Sequence, residues 1–209
     1  MPSITPSWTD TATNIVAIAS LARNAVVSGT IDLRSKFGAF LFICVGKTGT
    51  TALTNGVEVR VNRTINNNGR GHPSSHAALG PGAFAAAQST TVNADSASGQ
   101  NILNVASTTS WAQGDYLLIV ETGGGFTRAE WARVARVTDA THLLLDRNLQ
   151  FTHTAAQADT VRNKADIYSP VWCPGGSVYE VIFDYGDDAA GDSVIVECTA
   201  QTYDSDAVA

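Results

Sequence analysis

The chain has 209 residues, 44% of them hydrophobic and only 15% charged, with a formal net charge of −6. That length accommodates one to two domains and a core large enough to fold without disulfides or a structural metal. The acids gather at one end: residues 165–209 hold nine acids and no Lys or Arg, whereas residues 1–164 hold 13 basic and 10 acidic residues, so the C-terminal segment is excluded as a tracker of phosphates.

The opening segment, MPSITPSWTD, carries neither a basic nor an apolar leader region, and no apolar run reaches the roughly 18 residues of a membrane span. It reads as a polar arm with Trp8 as a candidate intermolecular contact. From Asn14 to Thr64 the apolar residues come in short bursts between turn residues, the pattern of strands. Ile15 to Val27 reads as two strands turning near Arg23 and Asn24, although Ile15, Ile18 and Leu21 also fit one helical face. The apolar run Ala39 to Val45 is followed by Thr54-Asn55-Gly56, which accepts a tight turn, and by Val57, Val59 and Val61 alternating with Glu58, Arg60 and Asn62. A hairpin or near-hairpin is expected there.

From residue 66 to 100 Asn, Gly, Ala, Ser and Pro dominate and periodicity fades, so this stretch is expected to be a linker or extended arm. Arg70, His72, His76 and Phe84 are its candidate contacts with other molecules. Residues 101–165 return to compact β patterning, and the region around Trp131 to Val137 reads as strand despite some helical spacing. Two further strands follow, Val178 to Tyr185 and Ser193 to Thr199, with Val181, Phe183 and Tyr185 on one face and Val194, Val196 and Cys198 on another. Gly186 to Asp192 would be their acidic hairpin tip.

Neither end holds enough strands to cover its own apolar face, and residues 1–65 carry six basic against three acidic residues. Pairing the two ends solves both problems. The expected fold is therefore all-β: an antiparallel β-sandwich from residues 1–65 plus 166–209, interrupted by a small β-barrel-like module at 101–165.

Catalytic and metal signatures fail on their spacing. Gly46-Lys47-Thr48 lacks the P-loop glycine five residues upstream, where Leu41 stands. His72 and His76 are four apart, but Pro73 and the surrounding glycines oppose the helix that would align them. Asp184, Asp187, Asp188 and Asp192 do not follow a calcium loop, and Asn62-Arg63-Thr64 is a glycosylation sequon without a secretion signal. His142 and His153 lack a nucleophile motif around them. Cys44, Cys173 and Cys198 form an odd set without metal-ligand spacing and read as buried free thiols from a reducing cytoplasm. Trp111, Trp131 and Trp172 read as packing groups. No catalytic residue, cofactor or metal is expected.

The block QGDYLLIVETGGGFTRAEWARVARVTDATHLLLDRNLQFTHTAAQADTV, residues 113–161, covers about a quarter of the chain. In its order of Gly-Asp, apolar run, Gly-rich loop, mixed strand and turn it resembles small β modules inserted in structural proteins of tailed double-stranded DNA bacteriophages and gene transfer agents. His153 falls at a recurrent polar place of that pattern. The resemblance implies a non-enzymatic virion protein, foremost a capsid decoration or cement protein that bridges capsid subunits. Its partners would be the major capsid protein or other virion proteins and further copies of itself, with no direct nucleic acid and no membrane. Ten Arg against three Lys agree with interface-rich surface. The alternatives are a tail, head-tail junction or fibre/spike-base protein, and, in another class, a carbohydrate-binding receptor-recognition module, which would present an aromatic cluster on one exposed face. A hydrolase would need converging groups in a pocket.

Overall fold

The computed structural model of the chain describes residues 5–9, 12–47, 56–64, 73–79, 89–109, 111–121, 128–157, 159–163, 165–167, 170–186 and 194–206. Sixteen strands and no α-helix occur among them, arranged in three antiparallel sheets. The first sheet runs β1 (Thr5–Trp8), β16 (Val194–Asp206), β4 (Gly38–Lys47) and β13 (Ala165–Ile167), with β2 (Thr13–Leu21) also paired to β16 and β14 (Val171–Pro174) to β4. The second runs β3 (Ala25–Asp32), β15 (Val178–Tyr185), β5 (Val57–Thr64) and β6 (Pro73–Leu79). Both sheets thus mix strands from the two ends of the chain, and together they form a sandwich.

Period-2 patterning explains the sandwich core. Leu41, Ile43, Val45, Val196 and Cys198 from the first sheet meet Val57, Val59, Val61, Val181, Phe183 and Tyr185 from the second in one buried cluster. Burying each of the larger of these side chains contributes about 1.5–3 kcal/mol. Charge follows the pairing: Arg60 of β5 binds Asp184 of β15 at 2.9 Å, and Lys36 binds Asp204 of β16 at 2.8 Å.

The connection from β2 to β3 turns where the sequence predicts, with Asn24 in the left-handed region at φ 58°. Yet β2 pairs with β16 and β3 with β15, so this turn is a corner between the sheets. The corner is tight: a Cβ on Gly29 of β3 would lie 2.0 Å from the Ile15 carbonyl oxygen of β2.

Three expectations are corrected. β4 and β5 lie in different sheets, so no hairpin joins them. β15 and β16 are likewise divided between sheets, so they do not form the expected hairpin, and residues 187–192 of its acidic tip lie outside the described residues. Alternation demands only a buried face, and a facing sheet satisfies that as well as a neighbouring strand does. Finally, the stretch 66–100 is not wholly linker: β6 pairs with β5, with Ala77 and Leu79 packed on the core, and the residues from Ser89 onward belong to the third sheet.

That third sheet is the inserted module, ordered β7 (Ser89–Thr91), β12 (Thr160–Asn163), β9 (Tyr116–Val120), β10 (Glu130–Val137), β11 (His142–Leu145) and β8 (Ile102–Asn104). An antiparallel bridge between Val92 and Val105 links its two outer strands, curling it toward a closed barrel. Leu103, Leu117, Ile119, Val134, Leu143, Val161 and Trp111 fill its interior.

Candidate functional site

The outer face of the first sheet organises the candidate sites. Along β4 the odd residues 39–45 point into the sandwich, leaving Phe40, Phe42, Cys44 and Gly46 on the outside. On β16 the outward set in register with them is Tyr203, Gln201, Thr199, Glu197 and Ile195.

One end of this face is aromatic. Trp8 of β1 stacks on Phe40 at 5.4 Å with planes 13° apart and meets Tyr203 at 4.6 Å. Trp172 of β14 lies 5.0 Å from Phe40, and Phe37 lies 5.2 Å from Tyr203. Trp172 sits low on the sheet because Gly38 has no Cβ; one there would lie 2.3 Å from the indole. Trp8 remains 40% and Phe37 59% exposed, so the cluster is open to solvent. The Lys36–Asp204 pair adjoins it, since the Phe37 amide donates to the Tyr203 carbonyl.

The other end is covered by the module. Trp131 of β10 and Leu118 of β9 pack with Ile195, and a Cβ on Gly46 would lie 2.8 Å from the Trp131 ring. The Trp131 Nε1–H donates to Glu197 Oε2 at 2.6 Å. Burial pushes the Glu197 pKa up, and the Trp131 hydrogen bond and the Arg147 charge only partly offset this. Beside the contact a cleft of about 540 Å³ opens between module and sandwich, lined by Asn14, Phe42, Glu197 and Thr199 on one wall and by Tyr116, Arg147 and Gln150 among those on the other.

A third cluster lies inside the module. His153 Nε2 is 2.9 Å from Glu130 Oε1, and its Nδ1 is 2.9 Å from Asp159 Oδ2, with side-chain exposures of 0%, 2% and 1%. With an acceptor at each ring nitrogen, the geometry calls for imidazolium. Burial opposes that charge, but the hydrogen bonds and charges of Glu130 and Asp159 outweigh it, and the His153 pKa lies above its ordinary value. For Glu130 burial is outweighed in turn by His153 and by the Gln150 and Phe151 amides, which lower its pKa. Around the ring, His153 and Ser96 exchange backbone hydrogen bonds, and the Ser96 hydroxyl accepts from the Asn104 amide. Because both imidazole nitrogens face carboxylates and all three side chains are buried, this network is a packed electrostatic clamp.

Of the sequence candidates, Trp8 stands in the exposed aromatic cluster. His76 of β6 is half-buried; its Nε2 lies 2.7 Å from the Trp172 carbonyl oxygen and its ring packs edge-on to Tyr179, so it bridges the two sheets. Arg70, His72 and Phe84 lie outside the described residues. Trp111 fills the module core, whereas Trp172 joins the surface cluster. Phe37, Phe40 and Tyr203 were not singled out by the sequence: they are spread from residue 37 to residue 203, and strand order alone unites them. Cys173 and Cys198 are buried and Cys44 is half-buried, and desolvation pushes all three thiols up to about 12.

No protein-family profile matches this chain, and no curated protein matches it. Among solved structures there is a faint likeness to a chain of "Structure of infectious bursal disease virus Gt strain", with TM-score 0.21 and 8% identity over 93% of this chain and 80% of that one.

Proposed function

We propose that the protein is a non-enzymatic structural component of a tailed-phage-like particle, foremost a capsid decoration or cement protein that bridges capsid subunits, assembled in the host cytoplasm and retained in the virion. The observation that carries this reading is the aromatic cluster of Trp8, Phe37, Phe40, Trp172 and Tyr203, held open on a rigid sheet. Exposed Trp, Tyr and Phe in one contiguous patch are what the centre of a protein interface presents before its partner arrives. The low charged content, 15% of the chain, supports the same role, since a weakly charged chain suits burial against neighbours.

Attachment would proceed by burying this face on a capsid or neighbouring virion protein, with symmetry multiplying the contact over many copies. A tail, head-tail junction or fibre-base position rests on the same contact. The carbohydrate-binding reading is favoured by the same aromatic cluster, which is the signature expected of it.

The test is biochemical location followed by disruption. Purified particles should carry the chain in stoichiometric copies, and particles lacking it should burst at lower temperature or milder osmotic shock. The Trp8→Ala/Phe37→Ala double variant should bind such depleted particles at least about tenfold more weakly, as expected for central aromatic anchors. Absence from particles, or undiminished binding by the variant, overturns the proposal.

A further inference from the structure

We propose that the cleft between module and sandwich is a binding site for a single saccharide unit, formed by Phe42, Glu197, Asn14, Thr199, Gln150 and Arg147. This inference does not rest on the particle reading and concerns a surface separate from the Trp8 cluster.

The cleft volume of about 540 Å³ falls within the roughly 300–1,000 Å³ of small-molecule sites, and such sites favour the junction of two structural units. Its chemistry is that of a ligand that both donates and accepts. Among the described residues no hydrogen bond occupies the side chains of Asn14, Thr199 or Gln150, so amide and hydroxyl groups from both walls remain available. Glu197 is held by Trp131 through Oε2, which leaves Oε1 as a fixed acceptor, and the Arg147 guanidinium, anchored on the Trp131 carbonyl, supplies donors opposite. A carboxylate and a guanidinium in fixed positions suit vicinal hydroxyls, each of which donates to one and accepts from the other.

Charge selects a neutral ligand. Arg133 and Arg147 line the cleft together with Asp146 and Glu197, while the remaining carboxylate, Glu130, is committed to His153. A ligand with one fixed charge would be attracted by one pair and repelled by the other; a neutral polyol meets no such conflict. Phe42 supplies the last requirement: an exposed ring on the outer face of β4 against which the C–H face of a pyranose packs.

The experiment measures binding of the whole chain to glucose, galactose, mannose and N-acetylglucosamine, and to cellobiose and maltose, by saturation-transfer NMR and calorimetry. A dissociation constant on the order of 1 mM is expected for a ligand of about a dozen non-hydrogen atoms. Phe42→Ala and Asn14→Ala alter exposed residues and should fold like the parent, checked by thermal unfolding, yet weaken binding by about fivefold or more. Trp8→Ala should leave it unchanged. Binding of a free monosaccharide identifies a soluble sugar as the ligand; binding of the disaccharides alone, with the same loss in Phe42→Ala, identifies the end unit of a longer glycan. No binding to any of these sugars up to about 10 mM overturns the proposal. So does binding that Trp8→Ala abolishes and Phe42→Ala spares, which would move the sugar to the aromatic cluster.

Discussion

Replacing His153 by Leu tests the buried clamp, because Leu is close to His in volume and removes the charge without opening a large cavity. Two hydrogen bonds of 2.9 Å to ionised partners disappear, each contributing about 1.5–3 kcal/mol. What remains is a pair of carboxylates in a sealed space, where Asp159 Oδ1 already accepts no hydrogen bond. Breaking a buried ion pair from one side destabilises by about 3–5 kcal/mol, a large share of the roughly 5–15 kcal/mol that holds a domain together. Urea unfolding should register that loss, and the thermal midpoint should fall by roughly 10 °C or more. The pH dependence carries the signature. His153 has a raised folded pKa, so its contribution is complete below the ordinary value of 6.5 and fades as pH rises through the folded value. Glu130 has a lowered folded pKa, so its contribution is complete above the ordinary value of 4.5 and fades as pH falls through the folded value. The gap between parent and variant should therefore be widest from pH 4.5 to 6.5 and narrow on both sides. Adding Glu130→Gln and Asp159→Asn to His153→Leu should recover part of the loss by discharging the stranded carboxylates. A gap below about 1 kcal/mol, or one that stays flat between about pH 4 and 8, refutes the imidazolium clamp.

Gly29→Ala should destabilise by about 3 kcal/mol or more in denaturant unfolding, because the added methyl meets the Ile15 carbonyl, whereas Gly186→Ala, with open space at its Cβ, should stay within about 0.5 kcal/mol of the parent. Trp131→Phe removes both the hydrogen bond to Glu197 and the outer edge of the indole that lies on Gly46, and should cost about 1–3 kcal/mol; a double-mutant cycle with Glu197→Gln should show coupling of about 0.5–3 kcal/mol if that bond joins module to sandwich. Desolvation holds all three thiols at about 12, so an aromatic disulfide reagent at mildly alkaline pH should leave the native chain unmodified and titrate the cysteines only on unfolding.

The sandwich was legible where burial is one-sided. Val57, Val59 and Val61 alternate with polar partners, and so do most of the residues around Val181, Phe183 and Tyr185; each buried member of both sets is fully enclosed. The segment Pro73–Leu79 was not legible, because PSSHAAL has little apolar character and becomes a strand through backbone pairing with β5, which leaves no trace in side-chain pattern. The sites were less legible still. His153 finds its carboxylates 6 and 23 residues away, and the aromatic cluster gathers residues from both ends of the chain. Spacing rules describe helices and turns; contacts made across a sheet depend on strand order, which periodicity does not encode.

Ala39 to Val45, AFLFICV, is apolar without alternation, whereas a strand with one wet face alternates, as β5 does. An unbroken run is the mark of a strand with apolar demand on both faces. Its odd residues meet the sandwich core; of the even ones, Cys44 lies beneath the module and Phe40 beneath Trp8 and Trp172. Phe42 falls between these two covers and is 36% exposed, bordering the cleft. The run therefore encodes a strand that needs partners beyond its own sandwich. The module answers that need at one end, the aromatic cluster extends it to solvent at the other, and Phe42 between them is left uncovered on the wall of the cleft.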